Sequence, residues 1–560
     1  MTSPHDALEL EKYTHTDPPL IERRESSGDA DKAIVYVHGL RFWLLAITIS
    51  VMLFLASLDT TITTTSLVAI THDLGGFQTA SWILSAYQLG WVAVIVICAK
   101  LSDIFGRKPV FIASIAIFAI FSAGCAAAQT MAQLIVLRAF QGVGGGGCLA
   151  LTTIIITEAV PPEKLGAFAS KINVALIMSL VLGPVLGGAI SSGTTWRWIF
   201  IINSPTDRAM PSSIPMSIIA GVLAQVGIPS GFPHHGQSTS SKSLGSSKVK
   251  KLARLDLLGF VLLILAALSF TSGFQEADSR FAWNSVYVIT LLVVSLALWV
   301  VLLIWERHLT LYSRAREPVM PWRFFNDRVR AGVMLVFVLV GVPIVVTNFQ
   351  LPQRFQLVNG LSSIDASVRI LPFGVAFCVG SLASSRLTSS LRVPSIYHVL
   401  AGSALQVVGF ALLGVLRASP DIQPAVYGYQ VLCGIGVGLN YMALYLLIPF
   451  TADRRDKAIG MGLAGQFRTM GSAFGLAIVT SVFNGYTGHR LASLGLSPDV
   501  TSIEGVGSQR LAAISPEVLA DVRTILSEAY NRQMFVLCAF AAAQIPAVLL
   551  IWKREQMVAV

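Results

Sequence analysis

Apolar runs of about 20 residues recur along this chain, separated by short polar turns. A run of that length crosses the hydrocarbon core of a bilayer as one helix. In lipid every backbone amide must be satisfied within its own segment, so an all-α integral membrane fold is expected before any motif is read. The runs are 44–67, 82–98, 110–128, 134–156 and 168–190, then a broken sixth, then 255–272, 286–305, 332–349, 364–383, 397–416, 426–450, 460–483 and 534–552. That makes fourteen transmembrane spans, an even number, which puts both termini on one side. Of the 560 residues, 54% are hydrophobic and 12% charged. A soluble domain carries about 25% charged residues.

The charges choose the side. The tails and alternate loops on the terminal side hold most of the 40 Lys and Arg, including the Lys248, Lys250, Lys251 and Arg254 cluster. The opposite loops hold eight: Arg197, Arg280, Arg354, Arg417, Arg490, Arg510, Arg523 and Arg532. Basic residues gather in cytoplasmic loops, so both termini are expected in the cytoplasm. The net charge of +10 therefore belongs to membrane topology and implies no nucleic-acid partner. The six cysteines all fall in apolar runs and read as unpaired packing thiols. The N-terminus lacks the apolar core of a signal peptide, which leaves insertion to the first span.

The sixth run starts at Trp196-Arg197-Trp198-Ile199-Phe200. Pro205, Pro211 and Pro215 then interrupt it, at about 3 kcal/mol or more each in a helix interior. Two readings stay open: a helix broken for function, or an insertion from Thr206 to about Ser217. The last outer loop carries Ser515-Pro516-Glu517, a helix start. Val518, Leu519, Val522, Ile525 and Leu526 follow at a spacing that predicts a short amphipathic helix on the membrane surface.

The chain also resembles itself. Gln141-Gly142-Val143-Gly144-Gly145-Gly146 aligns with Cys433-Gly434-Ile435-Gly436-Val437-Gly438, and Gly183 and Gly187 align with Gly471 and Gly475. The offsets are 292 and 288 residues, which implies two pseudo-symmetric six-helix halves with two extra central helices between them. The expected organisation is a disordered tail (1–41), an N-terminal half (42–228), a linker (229–254), two inserted helices (255–306), a second linker (307–330), a C-terminal half (331–552) with its outer loop (484–532), and a tail (553–560). Duplicated halves with a site between them are the plan of many secondary transporters.

Several motifs carry chemistry. Ala99-Lys-Leu-Ser-Asp103-Ile-Phe-Gly106-Arg107-Lys108-Pro109 reads as a charged turn between the second and third spans. Asp59 lies inside the first span and Arg138 inside the fourth; an ionisable group at mid-membrane costs about 2.5–3.5 kcal/mol on insertion scales. The alternative to a functional role is a structural pair with a distant Arg for Asp59, and a structural snorkelling side chain for Arg138. Gly183-Pro184-Val185-Leu186-Gly187-Gly188 removes a helix hydrogen bond and admits close packing. Polar or aromatic residues that suit a substrate cavity are Gln88, Asn173, Asn348, Gln350, Asn440, Tyr441 and Gln466.

From Phe42 to Trp552 the chain resembles the major facilitator superfamily, and within it the fourteen-span drug:proton antiporters of the fungal toxin and multidrug efflux type. The resemblance rests on the 99–109 motif, Leu58-Asp59-Thr60-Thr61-Ile62, Arg138-Ala139-Phe140-Gln141-Gly142-Val143-Gly144, the glycine–proline motif of span five, Trp196-Arg197-Trp198-Ile199-Phe200, and Arg468-Thr469-Met470-Gly471. Ala99, Ile104, Ser179 and Val68 depart from the family pattern. The resemblance implies a major facilitator fold and a monomeric efflux pump in the plasma membrane, with a vacuolar or vesicle membrane as the alternative. It implies proton coupling at Asp59 and Arg138, a gating loop at Asp103, Gly106, Arg107 and Lys108, and an antiporter hinge at Gly183, Pro184, Gly187 and Gly188. The implied partners are protons and a lipophilic toxin, drug or secondary metabolite; no cofactor, metal or enzymatic activity is expected. Two further readings stay open: a proton-coupled importer, for instance of an iron–siderophore, and a transporter-like receptor or membrane enzyme.

Overall fold

The computed structural model describes residues 39–75, 81–202, 216–229, 232, 256–277, 281–312, 318–417, 419, 421–451, 457–493 and 516–553. The N-terminal tail to residue 38, most of the Thr206–Ser217 segment, the linker to 255 and residues 494–515 lie outside the described residues. The rest is helical. The first half comprises α1 (Leu40–Leu74), α2 (Ser81–Phe105), α3 (Arg107–Ala127), α4 (Met131–Ala159), α5 (Pro162–Gly193), α6 (Trp198–Ile201) and α7 (Met216–Gly227). A hairpin of α8 (Leu257–Glu276) and α9 (Val286–Tyr312) follows, then α10 (Arg323–Asn326). The second half comprises α11 (Arg328–Leu357), α12 (Ser363–Val368), α13 (Leu371–Ser389), α14 (Ser395–Leu413), α15 (Ala425–Thr451), α16 (Lys457–Ala492) and α17 (Pro516–Leu549). Among the described residues eleven helices are long and apolar enough to cross a membrane, which is consistent with fourteen spans.

The internal repeat is visible in three dimensions. Gly142 presses on the Tyr87 carbonyl of α2, and its counterpart Gly434 on the Phe373 carbonyl of α13. Two residues on, and so on the opposite face, Gly144 abuts Phe118 of α3 and Gly436 abuts Gly402 of α14. Gly183 meets Thr61 of α1, whereas Gly471 meets Val338 of α11. Each glycine therefore seats its helix on the equivalent neighbour in its own half. The reason is common to both: lipid gives no hydrophobic drive for helix association, so backbones must approach closely to gain dispersion energy. The halves meet where α2 packs on α16 and where α5 packs on α12 and α13. The hairpin lies against α2 and α16. Only 17% of the α9 span is buried against protein, compared with 83% for α15, so α9 turns most of its surface outward.

Three local expectations change. The charged stretch at 99–109 is not a loop: α2 continues through Asp103 to Phe105, and the turn is the single residue Gly106, whose φ of 96° suits glycine. In the sixth span, the amide of Met216 donates to the carbonyl of Ile202 at 3.3 Å. The helix thus resumes against its own broken end, which favours an insertion over a functional break. Finally, the surface helix expected at the last loop is the opening of α17, which runs unbroken to Leu549. No proline interrupts it until Pro546, and its apolar stripe has a partner. Val522, Leu526 and Tyr530 pack with Phe483 and Leu491 of α16 and with Val358 in a separate small core.

Candidate functional site

Asp59 lies midway along α1 and Arg138 in the second turn of α4, and both are fully buried. They form an ion pair, Arg138 Nη1 donating to Asp59 Oδ2. Gln141, three residues after Arg138 and so on the same helical face, completes the unit. Its Nε2 donates to Asp59 Oδ1 at 2.9 Å and its Oε1 accepts from Arg138 Nη1 at 2.9 Å. Arg138 Nε donates to the Ile83 carbonyl at 3.3 Å. The Tyr87 ring lies 4.1 Å from the guanidinium carbon, a distance that favours a cation, and the Tyr87 hydroxyl is anchored on the Ala56 carbonyl at 3.0 Å. Among the described residues Arg138 Nη2 has no hydrogen-bond partner. Gln141 and Tyr87 were not singled out as site residues from sequence. The i,i+3 spacing from Arg138 is the signal that points to Gln141.

A family model described as Major Facilitator Superfamily matches residues 49–275 and 255–476. The chain belongs to the Major Facilitator Superfamily. It is similar to the MFS-type transporter FPY5 of Fusarium mangiferae, with 34% identity over 95% of this chain and 87% of the relative. The efflux pump FUS6 of Gibberella fujikuroi is 30% identical over 80% of this chain and 77% of its own. The efflux pump dotC of Dothistroma septosporum is 29% identical over 98% and 93%. Among solved structures, an inward-facing, unoccupied bacterial homolog of the human lysosomal transporter Spinster superposes with a TM-score of 0.54 at 15% identity, over 93% of this chain and 100% of that one. The proton:xylose symporter XylE does so with 0.52 at 14%, over 90% and 96%. These two likenesses bear on the fold alone. The protein is a multi-pass membrane transporter of this superfamily.

The 99–109 motif of the transporter forms a second charged site at one end of the bundle. Arg107 is buried and held from two helices. Asp103, four residues earlier on α2, pairs with it across the Gly106 turn. Glu158, at the end of α4, takes it in bidentate fashion, at 2.7 Å to Nη2 and 3.1 Å to Nε. Ser102 Oγ accepts from Nη1 at 2.6 Å. Lys108 Nζ donates to the Gln225 carbonyl of α7 at 2.6 Å, and Lys100 Nζ reaches the Pro318 carbonyl ahead of α10. Glu158 is a partner that sequence reasoning missed, 51 residues away with no spacing rule to expose it.

The glycine–proline motif is a contact surface for α1. A side chain at Gly183 would strike Thr61 Oγ1, and one at Gly187 would strike Thr65 Oγ1 and the Ile62 carbonyl. Thr61 Oγ1 donates to the Ser179 carbonyl at 3.1 Å and Ser66 Oγ to that of Gly187 at 3.2 Å. Pro184 lies within α5, and Gly188 is buried beside it.

The residues expected around a substrate do not all converge. Gln88 and Asn348 do: with Thr60, Thr61, Thr64 and Phe349 they line a cavity of about 40 Å³ between the halves. Gln350 is buried on α11 but does not line it. Asn440 lies instead within the second half, where its Nδ2 donates to Gln544 Oε1 at 2.7 Å and Ser403 Oγ at 3.0 Å. Buried amides in lipid take such partners from neighbouring helices. Tyr441 packs against Tyr445 with the rings tilted by 51° and their centroids 4.9 Å apart, and lies 5.9 Å from the Arg468 guanidinium. Gln466 is buried, and among the described residues its amide has no partner. The side chain of Asn173, on α5, lies outside the described residues.

Proposed function

We propose that this transporter exports a lipophilic small molecule, such as a toxin, drug or secondary metabolite, in exchange for protons. The observation that carries the reading is the fully buried Asp59–Arg138 pair bridged by Gln141. A buried ion pair adds little stability over a packed apolar pair, so its presence at mid-membrane points to a task. Protonation of Asp59 removes the charge that holds Arg138 and makes the α1–α4 contact weaker in one protonation state than in the other. An equilibrium between two arrangements of the halves is shifted by such a difference. Gly183, Gly187 and Gly188 keep α5 seated on α1, with Pro184 as the hinge, and Asp103, Arg107 and Lys108 latch one end. Efflux is supported by relatives named as efflux pumps. The proposed placement is a monomer in the plasma membrane with both termini in the cytoplasm.

The test is export from sealed vesicles of a lipophilic fluorescent dye driven by an imposed pH gradient. Asp59→Asn is expected to cut gradient-driven export by at least about tenfold while dye–dye exchange continues. Undiminished coupled export by that variant removes Asp59 from the mechanism, and uptake with the proton gradient selects an importer.

A further inference from the structure

A second cavity, of about 440 Å³, lies at the end of the bundle remote from the Gly106 turn. The inserted hairpin supplies one wall, with Phe274 of α8 and Trp283 of the α8–α9 turn; α16 and Arg532, midway along α17, supply the other. Its lining is divided. Phe274 and Trp283 pack edge to face with centroids 5.5 Å apart. Phe274 continues an aromatic series towards the bundle centre, 4.7 Å to Phe270 and from there 4.2 Å to Phe474. The opposite lip is cationic. Arg532 lies 4.0 Å and Arg490 5.9 Å from the centroid of the same Tyr486 ring, with His489 alongside.

Two guanidinium groups gathered on one ring repel each other. Among the described lining residues there is no carboxylate; Glu528, just outside, accepts from the Tyr486 hydroxyl and offsets part of the charge of Arg490, which leaves Arg532 beside it. A further observation is independent of charge. Ser481 lines the cavity and is buried, and among the described residues its hydroxyl has no hydrogen-bond partner. A buried hydroxyl left unmatched is destabilising, a cost that a bound polar group would remove.

We infer that this cavity binds an amphiphilic organic anion, with its carboxylate or phosphate head between Arg490 and Arg532 and its apolar body against Trp283 and Phe274. The head group also accepts from the Ser481 hydroxyl. The site lies outside the central cavity and stands independently of the proton exchange proposed above. It gives the inserted hairpin a role as one wall of a binding site. Two sources supply such an anion: an acidic lipid of the surrounding leaflet, or a dissolved aromatic acid.

The probe is 2-naphthoate, with neutral 2-naphthamide as its match in shape, in equilibrium dialysis against the full-length protein in phosphatidylcholine nanodiscs. The wild type is expected to hold naphthoate at least about tenfold more tightly than naphthamide. In Arg490→Gln/Arg532→Gln that preference should vanish, and in Arg490→Lys/Arg532→Lys it should persist. Elution volume and melting profile show that both variants are folded. Equal binding of the two probes by the wild type, or a preference that survives in the Gln variant, overturns the inference. A second arm adds phosphatidylglycerol to the nanodiscs. Weakened naphthoate binding in the wild type identifies a lipid head group as the occupant, and unchanged binding identifies the dissolved acid.

Discussion

Asp103 and Glu158 both hold Arg107, yet their side chains are 44% and 15% exposed. Solvent screens the first pair and leaves it worth under about 1 kcal/mol. Removing Glu158 instead leaves the buried guanidinium to the half-exposed Asp103 and to Ser102, a loss below the roughly 3 kcal/mol of breaking a fully buried pair. Glu158→Ala is therefore expected to lower the melting temperature of the purified transporter clearly more than Asp103→Ala does; equal shifts would refute the ranking. Another residue-scale expectation concerns the turn that matches Gly106 in the second half. There Arg392 adopts a φ of 52°, a conformation that costs a non-glycine residue about 1–2 kcal/mol. Arg392→Gly should raise the melting temperature. Asp59 and Arg138 were each legible in the sequence, because a charge inside an apolar run is conspicuous. Their pairing was not legible, since it joins positions 79 residues apart and depends on how α1 crosses α4.

At the scale of elements, the apolar runs located the helices but not their ends. The run at 82–98 became a helix reaching Phe105, because Lys100 and Asp103 find partners that let helix continue past the apolar stretch. The segment from 518 to 526 looked amphipathic because it is: its apolar stripe meets α16 rather than a lipid surface. Periodicity reports that a face is buried and says nothing about what buries it. The broken sixth span yields a direct test. Since Met216 already bonds to Ile202, a chain lacking residues 204–215, with Asn203 left as the bridge, should insert and melt like the parent. Loss of the folded protein on that deletion would show that the excised residues are needed to form the span.

For the whole molecule, the duplication was legible because glycines at helix crossings cannot be exchanged for larger residues, so both copies keep them. The position of the hairpin was not, because nearly uniform hydrophobicity around α8 and α9 names no partner. The cavity between the halves, about 40 Å³, is far below the roughly 300–1,000 Å³ of small-molecule sites, so the halves must part for cargo to enter. A Cβ placed on Gly462 would lie 3.5 Å from that of Ala99, at the edge of disulfide geometry. Ala99→Cys/Gly462→Cys, with Cys98→Ala, is expected to crosslink under oxidation and stop transport, and a reductant should restore it; transport that continues in the crosslinked protein would mean that α2 and α16 do not separate. The buried pair has an electrical consequence as well. While Asp59 is ionised, the pair carries no net charge and moves through the membrane field without work. Once Asp59 takes a proton, Arg138 is a bare unit charge, worth about 2.3 kcal/mol across the full field of a 100 mV potential. In the second half the Ser403–Asn440–Gln544 cluster is neutral and holds no charge that a proton could unmask. A proton at Asp59 would thus convert a voltage-blind contact into a voltage-sensing one, so that the same event that unlocks the first half also exposes it to the membrane potential.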